Sequence, residues 1–216
     1  MNHGEERVLV IHDGSLAAMV ACLMAPSLGE VVAWLPAPGS LLRGRGAGEA
    51  MQDALAVQQA EILGLGRLVR AGSIAPLPPD GVASGELQRS SSVGGGIWRG
   101  MARSIELLLA IAHAREHRCR RVIWPVICDG SIDAMFEVTE RATLVTRLAW
   151  LDPPGEEGEF QRSGGEEAAG SVRVETPFAD LTAEQIAEMA SDLDAPVQAA
   201  WWPSTAGTAV EPSHFV

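Results

Sequence analysis

Short apolar runs rich in β-branched residues alternate along this chain with helix-length segments, and that alternation constrains the fold more than any other feature. Arg7-Val-Leu-Val-Ile-His12 reads as a buried strand, because its apolar residues run on without a polar face. Asp13-Gly14-Ser15 breaks it, and Leu16 to Met24 carries helix formers up to Pro26, with Asp13 or Ser15 as the cap. Glu30 to Leu35 is a second strand, closed by Pro36 and Pro38. A helix follows over Gly48 to Leu63, with Met51, Leu55, Ile62 and Leu63 at helical spacing, and Arg67 to Arg70 is a third strand. Arg103 to His117 is an apolar helix with Ile105, Leu108, Leu109 and Ala112 on one face. Arg121 to Cys128 is the next strand, and a helix runs on from Asp129-Gly130-Ser131 through about Leu148. Val172 to Thr176 is a last strand, and Asp180-Leu-Thr182 caps a final helix, Ala183 to Leu193. Strands and helices in this order imply an α/β fold, three-layer and Rossmann-like, on a parallel sheet with right-handed crossovers.

Residues 1–202 are expected to form a single domain, with flexible segments at about 71–96 (rich in Pro, Ser and Gly) and 152–170 (acidic and Gly-rich). Residues 203–216 show no periodicity and read as an irregular tail.

Val10-Ile-His-Asp-Gly-Ser-Leu-Ala-Ala-Met19 closely matches Val126-Ile-Cys-Asp-Gly-Ser-Ile-Asp-Ala-Met135. Both place Asp-Gly-Ser where a strand gives way to a helix. If the strand order is 3-2-1-4-5, the two strands are neighbours at the point where the order reverses, and ligands of open α/β sheets bind there. His12, Asp13, Gly14 and Ser15 would then face Asp129, Gly130 and Ser131 across one crevice, offering backbone N–H groups and positive helix ends to a phosphate. The competing reading is that Asp-Gly-Ser is good turn-and-cap chemistry, used twice for that reason.

Composition removes several mechanisms. All 16 basic residues are arginine, so a Walker P-loop, a pyridoxal Schiff base and a lysine general base are excluded. Against 28 acidic residues these leave a net charge of −12, which suits neither nucleic acid nor an anionic membrane. A small nucleotide or another anionic ligand remains as partner, and a homodimer is compatible with the reading. Cys22, Cys119 and Cys128 are widely spaced and fit neither a disulfide framework nor a zinc ribbon. The first residues are acidic where a signal peptide is basic, and Leu16 to Pro26 is too short to span a bilayer. A cytoplasmic protein is expected.

The layout resembles the PP-loop ATP pyrophosphatases (a HUP-type α/β superfamily), and among them the 7-cyano-7-deazaguanine synthases of queuosine biosynthesis. That family's loop, Ser-Gly-Gly-x-Asp-Ser, falls where this chain has His12-Asp-Gly-Ser-Leu-Ala17. Its middle helix opens Pro-Gly-Arg-Asn, and Met101-Ala-Arg-Ser104 stands in that place before the apolar run to Ala114. Val122-Ile-Trp-Pro-Val-Ile-Cys-Asp129 with Phe136 is similar to the family's next strand and acidic turn. Thr176-Pro-Phe-Ala-Asp-Leu-Thr-Ala-Glu-Gln-Ile186 looks like its ending. The resemblance implies a five-stranded parallel sheet in the order 3-2-1-4-5, ATP with Mg²⁺ as cofactor, and Arg103 beside the nucleotide.

The departures fall on the chemistry. Leu16 and Ala17 replace the loop's Asp and last Ser, and Ala183 replaces a family lysine. The family's four zinc-binding cysteines have no counterpart after Trp202, where only His214 is a strong ligand, so no zinc is expected. The reading is therefore a homologue without adenylation chemistry, a pseudoenzyme that keeps the crevice. The alternative is an active ATP-dependent, amide- or nitrile-forming ligase with altered loop residues.

His113 and His117 with Cys119 are read as helix C-terminal chemistry rather than a metal site. The six tryptophans are read mostly as core, with Trp201 and Trp202 as a minority partner surface.

Overall fold

A computed structural model of the chain describes residues 7–25, 30–43, 48–71, 94–151 and 172–201, the side chains of 94–100 excepted. The expectations for 152–170, for the tail 203–216, for Trp98 and Trp202, and for most of 71–96 lie outside the described residues.

The elements run β1 (Arg7–Ile11), α1 (Leu16–Met24), β2 (Val31–Leu35), α2 (Glu49–Ile62) and β3 (Leu68–Arg70), then α3 (Gly94–Glu116), β4 (Cys119–Ile123), α4 (Ile132–Leu151), β5 (Arg173–Glu175) and α5 (Ala183–Asp192). A 3-10 turn at Val197–Ala199 follows. The five strands form one parallel sheet in the order β3-β2-β1-β4-β5. This is the three-layer, Rossmann-like α/β fold that the alternation of elements implies. Val8, Val10, Val31 and Ile123 face α1 and α5, while Leu9, Ile11, Val32, Trp34 and Val122 face α3 and α4. A central strand buried on both faces must be apolar throughout, which is why β1 carries no alternation. No helix among the described residues is long and apolar enough to cross a membrane.

Local chemistry places the helix starts. The Ser15 hydroxyl accepts from the Ala18 N–H and caps α1. Thr182 and Gln185 form a reciprocal capping box at α5.

Three expectations are corrected. The strand expected over Arg121 to Cys128 is β4, and it stops at Ile123. Trp124 still donates to the Glu175 carbonyl at 2.8 Å, but Pro125 has no N–H to continue the ladder, so Pro125 to Cys128 runs on beyond the sheet. The third helix begins at Gly94 instead of Arg103, so the last residues of the 71–96 segment are helical. Its buried face is Leu107, Ala110, Ile111 and Ala114, and Ala112 is exposed. The run from Ile105 to Ile111 is apolar nearly all round, so periodicity could not choose a face; the small Ala110 and Ala114 let the helix approach the sheet closely.

In α2 the inward residues are Gln52, Ala56, Gln59 and Ala60, whereas Met51 and Ile62 point outward. Gln59 is wholly buried because its Nε2 donates to the carbonyls of Gly14 and Ala199, both at 2.8 Å. A buried amide of this kind is retained by satisfying backbone carbonyls that the fold brings together.

Candidate functional site

A cavity of about 480 Å³ opens at the carboxyl edge of the sheet, over the reversal between β1 and β4. The turn after β1 contributes Asp13, Ser15, Leu16 and Ala17; the loop after β2 contributes Ser40 to Arg43; and Trp124 to Ile127 continue from β4. Arg103 of α3, Ile186 of α5 and Trp201 close the walls. Most of the lining is apolar, and the charges of Asp13 and Glu49 are matched in number by Arg43 and Arg103.

The turn at Asp13 is held from several sides. The Gly14 N–H donates to His12 Nδ1 (3.3 Å), the Ser15 N–H to Asp13 Oδ1 (3.0 Å) and the Leu16 N–H to the Trp201 carbonyl (3.2 Å). Trp201 returns its own N–H to the Gly14 carbonyl (3.2 Å) and its indole N–H to the Asp13 carbonyl (2.9 Å). A short parallel bridge between Ser15 and Trp201 results, so the segment after α5 straps the turn down.

A second backbone concavity is also filled from within. Ser40 Oγ and the N–H groups of Leu41 and Leu42 donate to the Glu106 carboxylate at 3.0–3.2 Å. Arg43 is buried, paired with Asp53 at 2.6 Å and bonded to the carbonyls of Pro36 and Ala37. It clamps the loop. Arg103 lies within reach of Glu137 at 3.8 Å with its side chain partly open.

Of the residues expected at the crevice, Asp13, Ser15 and Arg103 line it. His12 lies behind it, fully buried, and Gly14 is pressed against α2. β1 and β4 are adjacent and parallel, so both Asp-Gly-Ser turns stand at the same sheet edge. They are alike at glycine and serine: Gly14 and Gly130 both have positive φ, and Ser15 and Ser131 each accept from the N–H three residues on. They differ at the aspartate, since Asp129 is itself left-handed (φ +48°) and Asp13 is not. Asp129, Gly130 and Ser131 are exposed, however, and are not among the lining residues. Because β4 ends early, the chain travels on through Pro125 and carries the second turn outward. The loop Ser40 to Arg43, Gln52, Trp124 and the strap at Trp201 had no signal in the sequence that tied them to this site.

Cys22, Cys119 and Cys128 are free and buried, and burial pushes the Cys119 thiol up to about 11. Trp34, Trp124 and Trp201 are core residues, while Trp150 is exposed. His113, Glu116 and His117 end α3 with ligand atoms within 4.8 Å of one another. His117 Nδ1 lies 3.0 Å from an Arg67 guanidinium.

Burial pushes the His12 imidazole down to about 4, against the opposing pull of the Asp13 carboxylate. Its Nδ1 accepts from Gly14, so the proton sits on Nε2, which has no hydrogen-bond partner among the described residues. The folded state thus refuses a proton that the unfolded chain accepts below about pH 6.5. Stability is full above that pH and falls as the pH drops toward about 4, by about 3 kcal/mol at the limit. Urea unfolding at about pH 7.5 and 4.5 should show wild type losing about 2–3 kcal/mol more than His12→Asn, which keeps an acceptor but does not titrate. Equal losses would refute the assignment.

No family model matches this chain, and no curated protein matches it. Among solved structures, it is similar to the U34-tRNA thiolase NcsA from Methanococcus maripaludis, a structure with its 4Fe-4S cluster. The identity is 15% and the TM-score 0.49, over 89% of this chain and 59% of that one. A conserved protein from Thermus thermophilus aligns at 18% identity and a TM-score of 0.34, over 80% of this chain and 64% of that one. This chain therefore spans less than two thirds of either protein.

Proposed function

We infer that this chain is a PP-loop-type α/β protein that binds a small nucleotide or another anionic molecule in its crevice and lacks the ATP-adenylation chemistry of 7-cyano-7-deazaguanine synthases. One observation carries the loss of adenylation chemistry: the N–H groups of Gly14, Ser15 and Leu16 already donate within the chain. A pyrophosphate at a helix N-terminus depends on such donors. Here the Asp13 carboxylate occupies the place of the anion, and Trp201 takes the next donor.

Leu16 and Ala17 line the crevice with methyl groups where the resembled loop has Asp and Ser. Each charge-assisted hydrogen bond so lost costs about 1.5–3 kcal/mol. An exposed helix end returns only about 0.3–1 kcal/mol. The donor set thus fits a polyphosphate poorly. What lines the crevice is mainly apolar side chains, with Ser15, Arg43 and Arg103 beside the carboxylates of Asp13 and Glu49. That set suits a small, largely apolar molecule carrying one anionic or polar group.

Calorimetry with Mg·ATP on wild type and Arg103→Ala tests the reading. Binding is expected to be weak in wild type and weaker still in the variant. Sub-micromolar affinity, or release of AMP on adding a carboxylated deazaguanine and ammonia, would establish the active ligase instead.

A further inference from the structure

The outer face of α4 exposes several large apolar side chains, interspersed with Asp133, Glu137, Glu140, Thr143 and Arg147. Its inner side, Val138, Ala142, Val145, Thr146 and Ala149, is buried against the sheet layer. On the outer side, Ile132 is 71% exposed, Phe136 68%, Leu144 57% and Leu151 75%, with Leu148 also exposed. Ile132, Phe136, Glu140, Leu144 and Leu148 follow one another at four-residue steps and form a single ridge. Ridges of this kind interdigitate with their like in the commonest class of helix packing, at a crossing angle near −50°. With Leu151 the apolar face spans about 28 Å. Large apolar side chains exposed along that length, interrupted by Glu140, mark an interaction surface.

The charges on this face indicate what covers it. Glu140 is the one acidic residue in the ridge, and Arg147 projects from the same side. Among the described residues neither is ion-paired, whereas Glu137 is engaged by Arg141 and Arg103 of its own chain. Glu140 and Arg147 lie at equal distances from the midpoint between Thr143 and Leu144. In a twofold contact, if one residue meets a second, the second meets the first. An antiparallel twofold axis at that midpoint therefore sets Glu140 beside the partner's Arg147 and repeats the pair on the other side. The same axis sets Phe136 against the partner's Leu151 and brings the two Leu144 side chains together.

We propose that α4 is a self-association surface, pairing two copies of this chain antiparallel about an axis between Thr143 and Leu144, with Glu140 and Arg147 exchanged across it. The net charge of −12 opposes association at long range. Physiological salt screens it beyond about 8 Å and leaves the close pairs and the apolar ridge. None of these residues lines the crevice, so pairing through α4 does not depend on what the crevice binds.

Sedimentation velocity on the full chain tests it. Wild type is expected to show a concentration-dependent monomer–dimer equilibrium, and Leu144→Asp to be monomeric. Glu140→Arg and Arg147→Glu should each raise the dissociation constant about tenfold, because each sets like charges together. The double variant Glu140→Arg/Arg147→Glu should recover most of that loss. All these positions are exposed, so the core is untouched, and Phe136→Ser serves as a second ridge variant. A wild type that stays monomeric at about 200 µM overturns the proposal, since at typical homodimer affinities the face would then be covered by other segments of the chain or by an unlike partner. A dimer that survives both Leu144→Asp and Phe136→Ser, or a double variant no tighter than the singles, overturns it equally.

Discussion

Gly14→Ala is expected to lower the folding stability by about 2–5 kcal/mol, which for a domain of this size is a fall of roughly 5–20 °C in Tm. Gly14 has a φ of +80°, and a side chain in that conformation costs about 1–2 kcal/mol by itself. A Cβ there would also stand 2.7 Å from the Gln52 carbonyl oxygen and 3.1 Å from the Ala56 nitrogen. Both atoms are backbone of α2 and cannot swing aside, so the helix must shift, an overpacking cost of about 1–3 kcal/mol. The repeated turn supplies the control. Gly130 has a φ of +76°, but an added Cβ would meet nothing within 4 Å. Gly130→Ala should therefore show the conformational cost alone, about 1–2 kcal/mol. Thermal melts of the two variants measure the difference, and equal drops would mean that α2 does not press on the first turn.

The second large effect is expected at Trp201. Removing a buried tryptophan side chain typically costs about 3–5 kcal/mol. At this position the change also frees the Asp13 carbonyl and weakens the strap that satisfies Leu16 and Gly14. Trp201→Ala should accordingly destabilise the fold by about that amount and expose the Leu16 amide to hydrogen exchange. Trp201→Phe keeps most of the packing but leaves the Asp13 carbonyl without its indole donor, a cost of about 1–3 kcal/mol. An unchanged Leu16 exchange rate in Trp201→Ala would show that the turn holds itself without the strap.

The elements and their order were legible because neighbouring residues decide them. The apolar runs of β1 and β2 specify strands buried on both faces, and Ser15 and Thr182 cap helices with oxygens only three residues from the N–H groups they accept from. The alternation of strand and helix dictates a parallel sheet, because the intervening helices must cross over its faces. The Asp-Gly-Ser turns and their serine caps were legible for the same local reason.

Contacts between distant segments, by contrast, settle which of the two like turns lines the crevice and what fills its donors. Gln59 turns inward because it reaches Gly14, 45 positions away, and Ala199, 140 positions away. Trp201 bonds Asp13 across 188 positions. Glu106 occupies the backbone concavity at Leu41 from 65 positions off. Such pairings leave no periodic trace, since each partner by its own neighbours reads as an ordinary surface glutamine, core tryptophan or helix acid. Packing the helices on the sheet creates the unsatisfied carbonyls and amides, and those groups select the side chains that meet them.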